Sequence, residues 1–325
     1  MSDLLENDTI LLVGAGPMAR AYAAVLNAMS LPYHVAGRGE ASAAQFELEL
    51  NKRPGTGPFD AQLAQMAGAP RTAIVAASAI SLAEVTRQLI GAGTKRLLVE
   101  KPLGFDVEEV REIASLAGAA QAEVYVAYNR RFFAATECAA RFIDADGGPL
   151  SVKFDFTEAS QRIEGLDKNP LELDGWFYGN SSHVIDLAFF LGGVPKNLQS
   201  QSREGLSWHP RGGIFTGHGE TVSGAAICWH ANWLAPGRWG VEIMTKKRRL
   251  IMQPMEQLFV QTHDSFAVTQ VEIDDSLDKK FKPGLYNQVQ AFLDAPGDTR
   301  LLSIQKFAEI CPTYSVMRDG GQYIA

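Results

Sequence analysis

The sequence predicts an α/β protein, with an N-terminal doubly wound parallel sheet followed by an α+β domain on a mostly antiparallel open sheet. Three observations predict it. Short aliphatic and β-branched runs alternate with helix-like segments over residues 1–128. Such alternation indicates right-handed βαβ units. Over 129–325 the run 151–156 alternates apolar and polar, and the strand candidates after it are joined by short connections, as antiparallel strands are. The length of 325 residues also exceeds one ordinary domain and suits two. The expected boundaries are 1–128 and 129–325.

The first run, 9–13 (TILLV), stops at Gly14 and has the character of a strand buried on both faces. Residues 17–29 are rich in Ala, Met and Leu and predict a helix. A weaker strand at 33–36 ends at Gly37, and a helix follows at 41–50. The rhythm continues with strands at 73–77, 96–100 and 124–128 and helices at 82–91 and 107–117. A linking helix over 132–143 and the turn Asp146-Gly147-Gly148-Pro149 then change the pattern. Strands are expected at 151–156, 222–229, 239–245, 249–252, 257–262 and 266–273, with helices at 182–191 and 286–293.

Composition removes several classes of protein. Lys and Arg number 30 against 37 Asp and Glu, a net charge of −7 that disfavours a generally basic nucleic-acid surface. The one dense basic run, Lys246-Lys247-Arg248-Arg249, lies between strand-like segments and suits a solvated hairpin turn. Cys138, Cys228 and Cys311 are far apart, so neither a disulfide framework nor a zinc cluster is expected, and no metal site is. The acidic start and the lack of a spanning apolar stretch point to a cytoplasmic protein without a membrane partner. No Gly-x-Ser-x-Gly elbow supports a serine hydrolase.

Gly14-Ala15-Gly16-Pro17-Met18-Ala19 has the form GxGxxA directly after a strand and opening a helix. That context makes it a Rossmann dinucleotide fingerprint rather than a plain turn. Gly14 permits the tight turn, Gly16 admits a pyrophosphate to the backbone, and Ala19 lets helix and strand pack closely. Free N–H groups and the helix dipole would hold the phosphates, and Pro17 suits a first helical turn. Ala15, Met18, Ala77, Ser78 and Glu100 complete the expected cofactor-binding set, together with Lys101. At the end of the second strand stands Arg38, 38 − 14 = 24 positions past Gly14, where an NAD site would carry an acid. An arginine there can pair with a 2′-phosphate, so NADP is expected, with NAD possible because Glu40 is close.

Val99-Glu100-Lys101-Pro102-Leu103, Tyr128-Asn129-Arg130-Arg131-Phe132 and Ser181-Ser182-His183-Val184-Ile185-Asp186 follow in that order. Taken together with GxGxxA, these segments resemble the Gfo/Idh/MocA oxidoreductase family over nearly the whole chain. The resemblance implies NAD(P)-dependent oxidation or reduction of a sugar, polyol or sugar derivative, at a site between two domains. It also implies that Asn129 and Arg130 line the nicotinamide side. Independently of it, Lys101 ends a strand of an open α/β sheet, where ligands bind, and its ammonium can polarise a carbonyl or hydroxyl oxygen. His183 suits a group that takes and returns a proton near neutrality. Asp186, three residues on, shares its helix face and either orients the ring or satisfies a neighbouring arginine.

Many family members carry an aspartate four residues before this histidine; here Gly179 stands there. Asn180 can hydrogen-bond a hydroxyl but cannot take its proton. Lys101 and His183 are therefore the expected catalytic pair, with Asn129, Arg130, Trp176, Asn180 and Asp186 on the substrate side. Trp176 is equally a sugar-facing wall or a core-packing ring. His230 alternates on a strand and faces either a pocket or its sheet neighbours. The missing aspartate keeps two alternatives open, a reductase of an imine or linear tetrapyrrole and a non-catalytic cofactor-binding regulator. A sheet face without helices needs cover, so a homodimer or homotetramer is expected.

Overall fold

A computed structural model describes residues 9–66, 68–295 and 297–325; the acidic start, 1–8, lies outside the described residues. Two compact units emerge. The described residues up to Tyr128 join Lys280–Ala308 in one, and Asn129–Lys279 joins Glu309–Ala325 in the other.

The strands of the first unit are β1 (Ile10–Val13), β2 (Tyr33–Ala36), β3 (Thr72–Val75), β4 (Arg96–Val99) and β5 (Glu123–Val126). The second unit begins with β6 (Ser151–Asp155), β7 (Pro195–Arg203), β8 (Ile214–Thr221) and β9 (Ala226–Asn232). It continues with β10 (Gly240–Met244), β11 (Arg248–Met252), β12 (Phe259–Thr262) and β13 (Thr269–Gln270). Late in the chain, β14 (Leu302–Ser303) returns to the first unit and β15 (Gly321–Ile324) belongs to the second.

In the first unit the order is β14-β5-β4-β3-β1-β2, parallel except for β14. The aliphatic runs that predict β1, β3 and β4 are the buried core of this sheet. Its helices stop and start on local signals. Gly93, at φ 104°, ends the Leu82–Ala92 helix, and the Asp106 carboxylate accepts from Glu109 N at 2.8 Å to cap Val107–Ala119.

Residues 280–308 correct the expected boundary, which assigned all of 129–325 to one domain. Leu302 and Ser303 pair antiparallel with Val126 and Tyr125. The Leu285–Asp294 helix buries Leu285, Val289 and Phe292 in the first unit. A two-residue strand carries too little periodicity to announce a long-range return of this kind.

The second sheet has the order β13-β12-β11-β10-β6-β9-β8-β7-β15 and is antiparallel except between β6 and β9. Val152, Phe154, Ile227, Trp229, Val241 and Ile243 are buried on one face, where the Ser182–Gly192 helix packs. Gly192 makes that approach possible: a Cβ there would meet Val152 Cγ1 at 2.7 Å. The other face is polar. On it Glu242 pairs with Lys153 at 3.4 Å and Arg249 at 2.6 Å, and His230, exposed, lies 3.5 Å from Asp155. His230 therefore faces its sheet neighbours. Lys246 and Lys247 of the basic run form the turn between β10 and β11, and Arg248 and Arg249 begin β11, with Arg248 on buried Asp146 at 2.8 Å.

Two expected strands are misplaced. Residues 222–229 are not one strand: Thr221 N donates to Ala225 O and Gly224 takes φ 88°, so a turn separates β8 from β9. Over 266–273 only Thr269 and Gln270 pair, and Phe266 is wholly exposed. The mostly polar β7 and the Ile304–Asp319 helix, which contains Pro312, lie outside the expected elements. Among the described residues no helix is long and apolar enough to cross a membrane.

Candidate functional site

In the first unit the chain leaves β1 through Gly14, at φ 119°, whose N–H donates to Ala36 O at 2.8 Å. A Cβ on Gly14 would lie 2.3 Å from Ala76 O, so only glycine fits between β1 and β3. Gly16 differs. Its φ of −76° is open to any residue, and a Cβ there would meet nothing within 4 Å. It faces open space at the start of the Pro17–Ala28 helix, which has no side-chain cap. Uncapped N–H groups and a bare backbone are what a pyrophosphate requires, so the residues present fit a dinucleotide.

That turn opens on a cleft of about 770 Å³. Gly14, Ala15, Gly16, Pro17, Met18, Arg38, Ala77 and Ser78 all line it. They come from the C-terminal ends of β1, β2 and β3 and the turns that follow, the usual ligand position in an open α/β sheet.

Glu100 and Lys101 are not among the cleft's lining residues. Both follow β4, and the Lys101–Pro102 peptide is cis. Glu100 turns into the unit, where its carboxylate accepts from the Tyr22 hydroxyl at 2.8 Å. Burial pushes the Glu100 carboxyl up, against the pull of the Lys101 ammonium, and raises the Tyr22 phenol as well. Lys101 itself is half-buried.

In the second unit His183 lies in the first turn of the Ser182–Gly192 helix and is 7% exposed. Its ring centre is 6.3 Å from that of Trp239, and the Arg130 guanidinium lies 5.1 Å from the same indole. Trp239 thus joins His183 to Arg130. Sequence reading missed it, because it begins a strand-like run with nothing to distinguish it from a core aromatic.

Asp186 takes the second of its two expected roles. Both its oxygens accept from the Arg131 guanidinium, at 2.7 and 2.8 Å, with the two residues 2% and 7% exposed. Burial pushes the Asp186 carboxyl up while Arg131 holds it down. A bidentate ion pair this far from water fixes the helix to the Asn129–Phe132 turn. Asn129 lies buried in the same turn.

A second missed residue is Glu158, just beyond β6 and 6% exposed. Its oxygens accept from Asn180 Nδ2 at 2.9 and 3.1 Å and from Ser181 Oγ at 2.8 Å. Asn180 is thus tied to a carboxylate, and a carboxylate does stand at the start of the histidine's helix although position 179 is glycine. The isolated position of Glu158 in the sequence gives no signal of this. Trp176 packs edge-on against Trp208 at 6.0 Å, and Trp208 stacks on Trp233 at 5.5 Å. Its ring neighbours are therefore those of an aromatic cluster.

The first unit is a dinucleotide-binding α/β domain and the second an open-sheet α+β domain. Residues 9–128 match the GFO_IDH_MocA model, described as an oxidoreductase family with an NAD-binding Rossmann fold. The dinucleotide-binding unit is a member of that NAD-binding oxidoreductase family. No curated protein shows significant sequence similarity to the chain.

Solved structures share the fold over almost the whole length. An oxidoreductase from Agrobacterium radiobacter in complex with NAD+, L-tartaric acid and magnesium superposes with a TM-score of 0.77 at 12% identity, covering 98% of both chains. UDP-N-acetylglucosamine 3-dehydrogenase GnnA from Acidithiobacillus ferrooxidans gives 0.74 at 17%, covering 95% of this chain and 96% of its own. A levoglucosan dehydrogenase in complex with NADH and L-sorbose gives 0.75 at 17%, covering 98% and 96%.

Proposed function

We propose that the protein is an NAD(P)-dependent dehydrogenase or reductase acting on a CH–OH group, or its carbonyl, in a sugar, polyol or sugar derivative. The observation that carries this reading is the cleft of the first unit, whose lining contains Gly14 to Met18 of the GxGxxA turn together with Arg38, Ala77 and Ser78. The similarity in fold to two sugar dehydrogenases supports the substrate class.

A bound nicotinamide supplies or accepts the hydride at C4. The ammonium of Lys101 stabilises the substrate oxygen as its charge changes, and the imidazole of His183 moves its proton. Arg130 and Asn129 orient the substrate, and Trp239 offers an aromatic wall beside His183, the role that Trp176, packed on Trp208, is less free to take. Asp186 holds the histidine's helix through Arg131, and Glu158 holds its first turn through Asn180 and Ser181. NADP is the preferred cofactor, because Arg38 lines the cleft and makes no ion pair among the described residues. A homodimer or homotetramer would cover the polar outer face of the second sheet, and the cytoplasm suits a cofactor-dependent enzyme whose three cysteines lie far apart in the sequence.

Replacement of Lys101 tests this reading. Lys101→Ala should lower turnover by about a hundredfold or more while dinucleotide affinity stays within about twofold. Turnover close to the original rate would remove the role given to this lysine. Gly179 favours one second reading, a reductase of an imine or tetrapyrrole that does not need the missing aspartate. NADPH consumption with such substrates and none across a sugar and polyol panel would select it. Cofactor binding without turnover on either panel would instead mark a regulator.

A further inference from the structure

The two candidate signals at the end of β2 oppose one another. Arg38 suits a 2′-phosphate, whereas Glu40 could bond a ribose 2′-hydroxyl and would repel a phosphate. The structure separates them through a third residue. Arg53 donates through Nη2 to Glu40 and through Nη1, at 2.8 Å, to Glu47. Gly39 and Ser42 line the cleft beside Arg38, but Glu40 does not.

Arg53 is held in place by the backbone around it. Asn51, in the left-handed region at φ 52°, ends the Glu40–Leu50 helix and turns the chain back along it. The returning segment is tied to the end of β2 by three hydrogen bonds: Gly55 N to Val35 O, Gly37 N to Gly55 O, and Gly57 N to Arg38 O, all at 2.8–2.9 Å. A Cβ on Gly37 would lie 2.9 Å from Gly55 O, so the two segments are in close contact. Gln62 Nε2 adds bonds to Gly37 O and Gly57 O at 2.7 and 3.0 Å. The arginine thus grows from a segment fixed to the same turn that carries Arg38 and Glu40.

We propose that Arg53 is a specificity-determining residue that withholds the Glu40 carboxylate from the adenosine end of the cleft and leaves Arg38 as the charge a 2′-phosphate meets. This inference rests on the dinucleotide-binding reading above and adds to it the residue that sets cofactor preference. Arg53 works through Glu40 and makes no contact with the cofactor itself. All three side chains are substantially exposed, so the effect is that of screened surface charges rather than of a buried pair.

Dissociation constants for NADPH and NADH, measured by titration of the full-length chain, test it in four proteins: the original, Arg53→Ala, Glu40→Gln and the double variant. The original should prefer NADPH. Arg53→Ala should cut the NADPH-to-NADH preference by about fivefold or more, since one exposed charge pair is worth about 1 kcal/mol. Glu40→Gln alone should change the preference by less than about twofold, because its charge is already engaged. The double variant should regain most of what Arg53→Ala loses. That recovery is what distinguishes the role from direct binding: if Arg53 touched the phosphate, removing Glu40 as well would restore nothing. An unchanged preference in Arg53→Ala, no recovery in the double variant, or an original protein that prefers NADH would overturn the proposal. Should Arg53→Ala fail to fold, a rise of about fivefold or more in the preference of Glu40→Gln would overturn it too, as it would reveal an unmasked carboxylate. Absence of binding by either dinucleotide in the original protein would instead strike the underlying reading.

Discussion

Asp186 and Arg131 show how packing chooses between two roles that the sequence leaves open for one side chain. Spacing from His183 places the carboxylate on the correct helix face, yet both of its oxygens face Arg131. Each charge is desolvated, so removing one leaves the other buried and uncompensated. Asp186→Ala should therefore destabilise the fold by about 3–5 kcal/mol, measured by denaturant unfolding. A loss below about 1 kcal/mol would mean that the pair holds nothing. Spacing within one helix revealed where Asp186 lies but not which neighbour it meets, because Arg131 is 55 residues away in the chain. Trp239 and Glu158 were illegible for the same reason: their neighbours, His183 and Arg130 for one and Asn180 and Ser181 for the other, are distant in the chain. Gly14 through Met18, Arg38, Ala77 and Ser78 were legible because one βα turn and two strand ends bring them together.

Among the elements, the β1 turn separates two kinds of glycine. Gly14 is structural: its positive φ and the 2.3 Å approach to Ala76 O exclude any side chain. Gly14→Ala should lower stability by about 1–3 kcal/mol or more, seen as a fall in melting temperature. Gly16 is sterically free in the protein itself, so a substitution there should leave melting nearly unchanged and act on the ligand alone. Strands with continuous aliphatic runs, β1, β3 and β4, were readable because complete burial demands that composition. β7 was not, since its buried positions Pro195, Leu198 and Ser200 sit among Lys, Asn, Gln and Arg. The Ile304–Asp319 helix was hidden by Pro312, a residue that ordinarily argues against a helix interior.

At the scale of the whole molecule, the chain visits the first unit twice, and the second visit escaped sequence reading because its pairing with β5 is two residues long. The account rests on the dinucleotide entering the cleft beside Gly16, and a titration of the full-length protein with NADPH and NADH tests that most directly, run in parallel on Gly16→Val. The original protein should bind at least one of them saturably and melt at a higher temperature when it is present. Gly16→Val, whose side chain projects into the open cradle, should melt at nearly the original temperature without ligand and bind at least about tenfold more weakly. Equal affinity in the two proteins, or no binding by the original, would contradict the account.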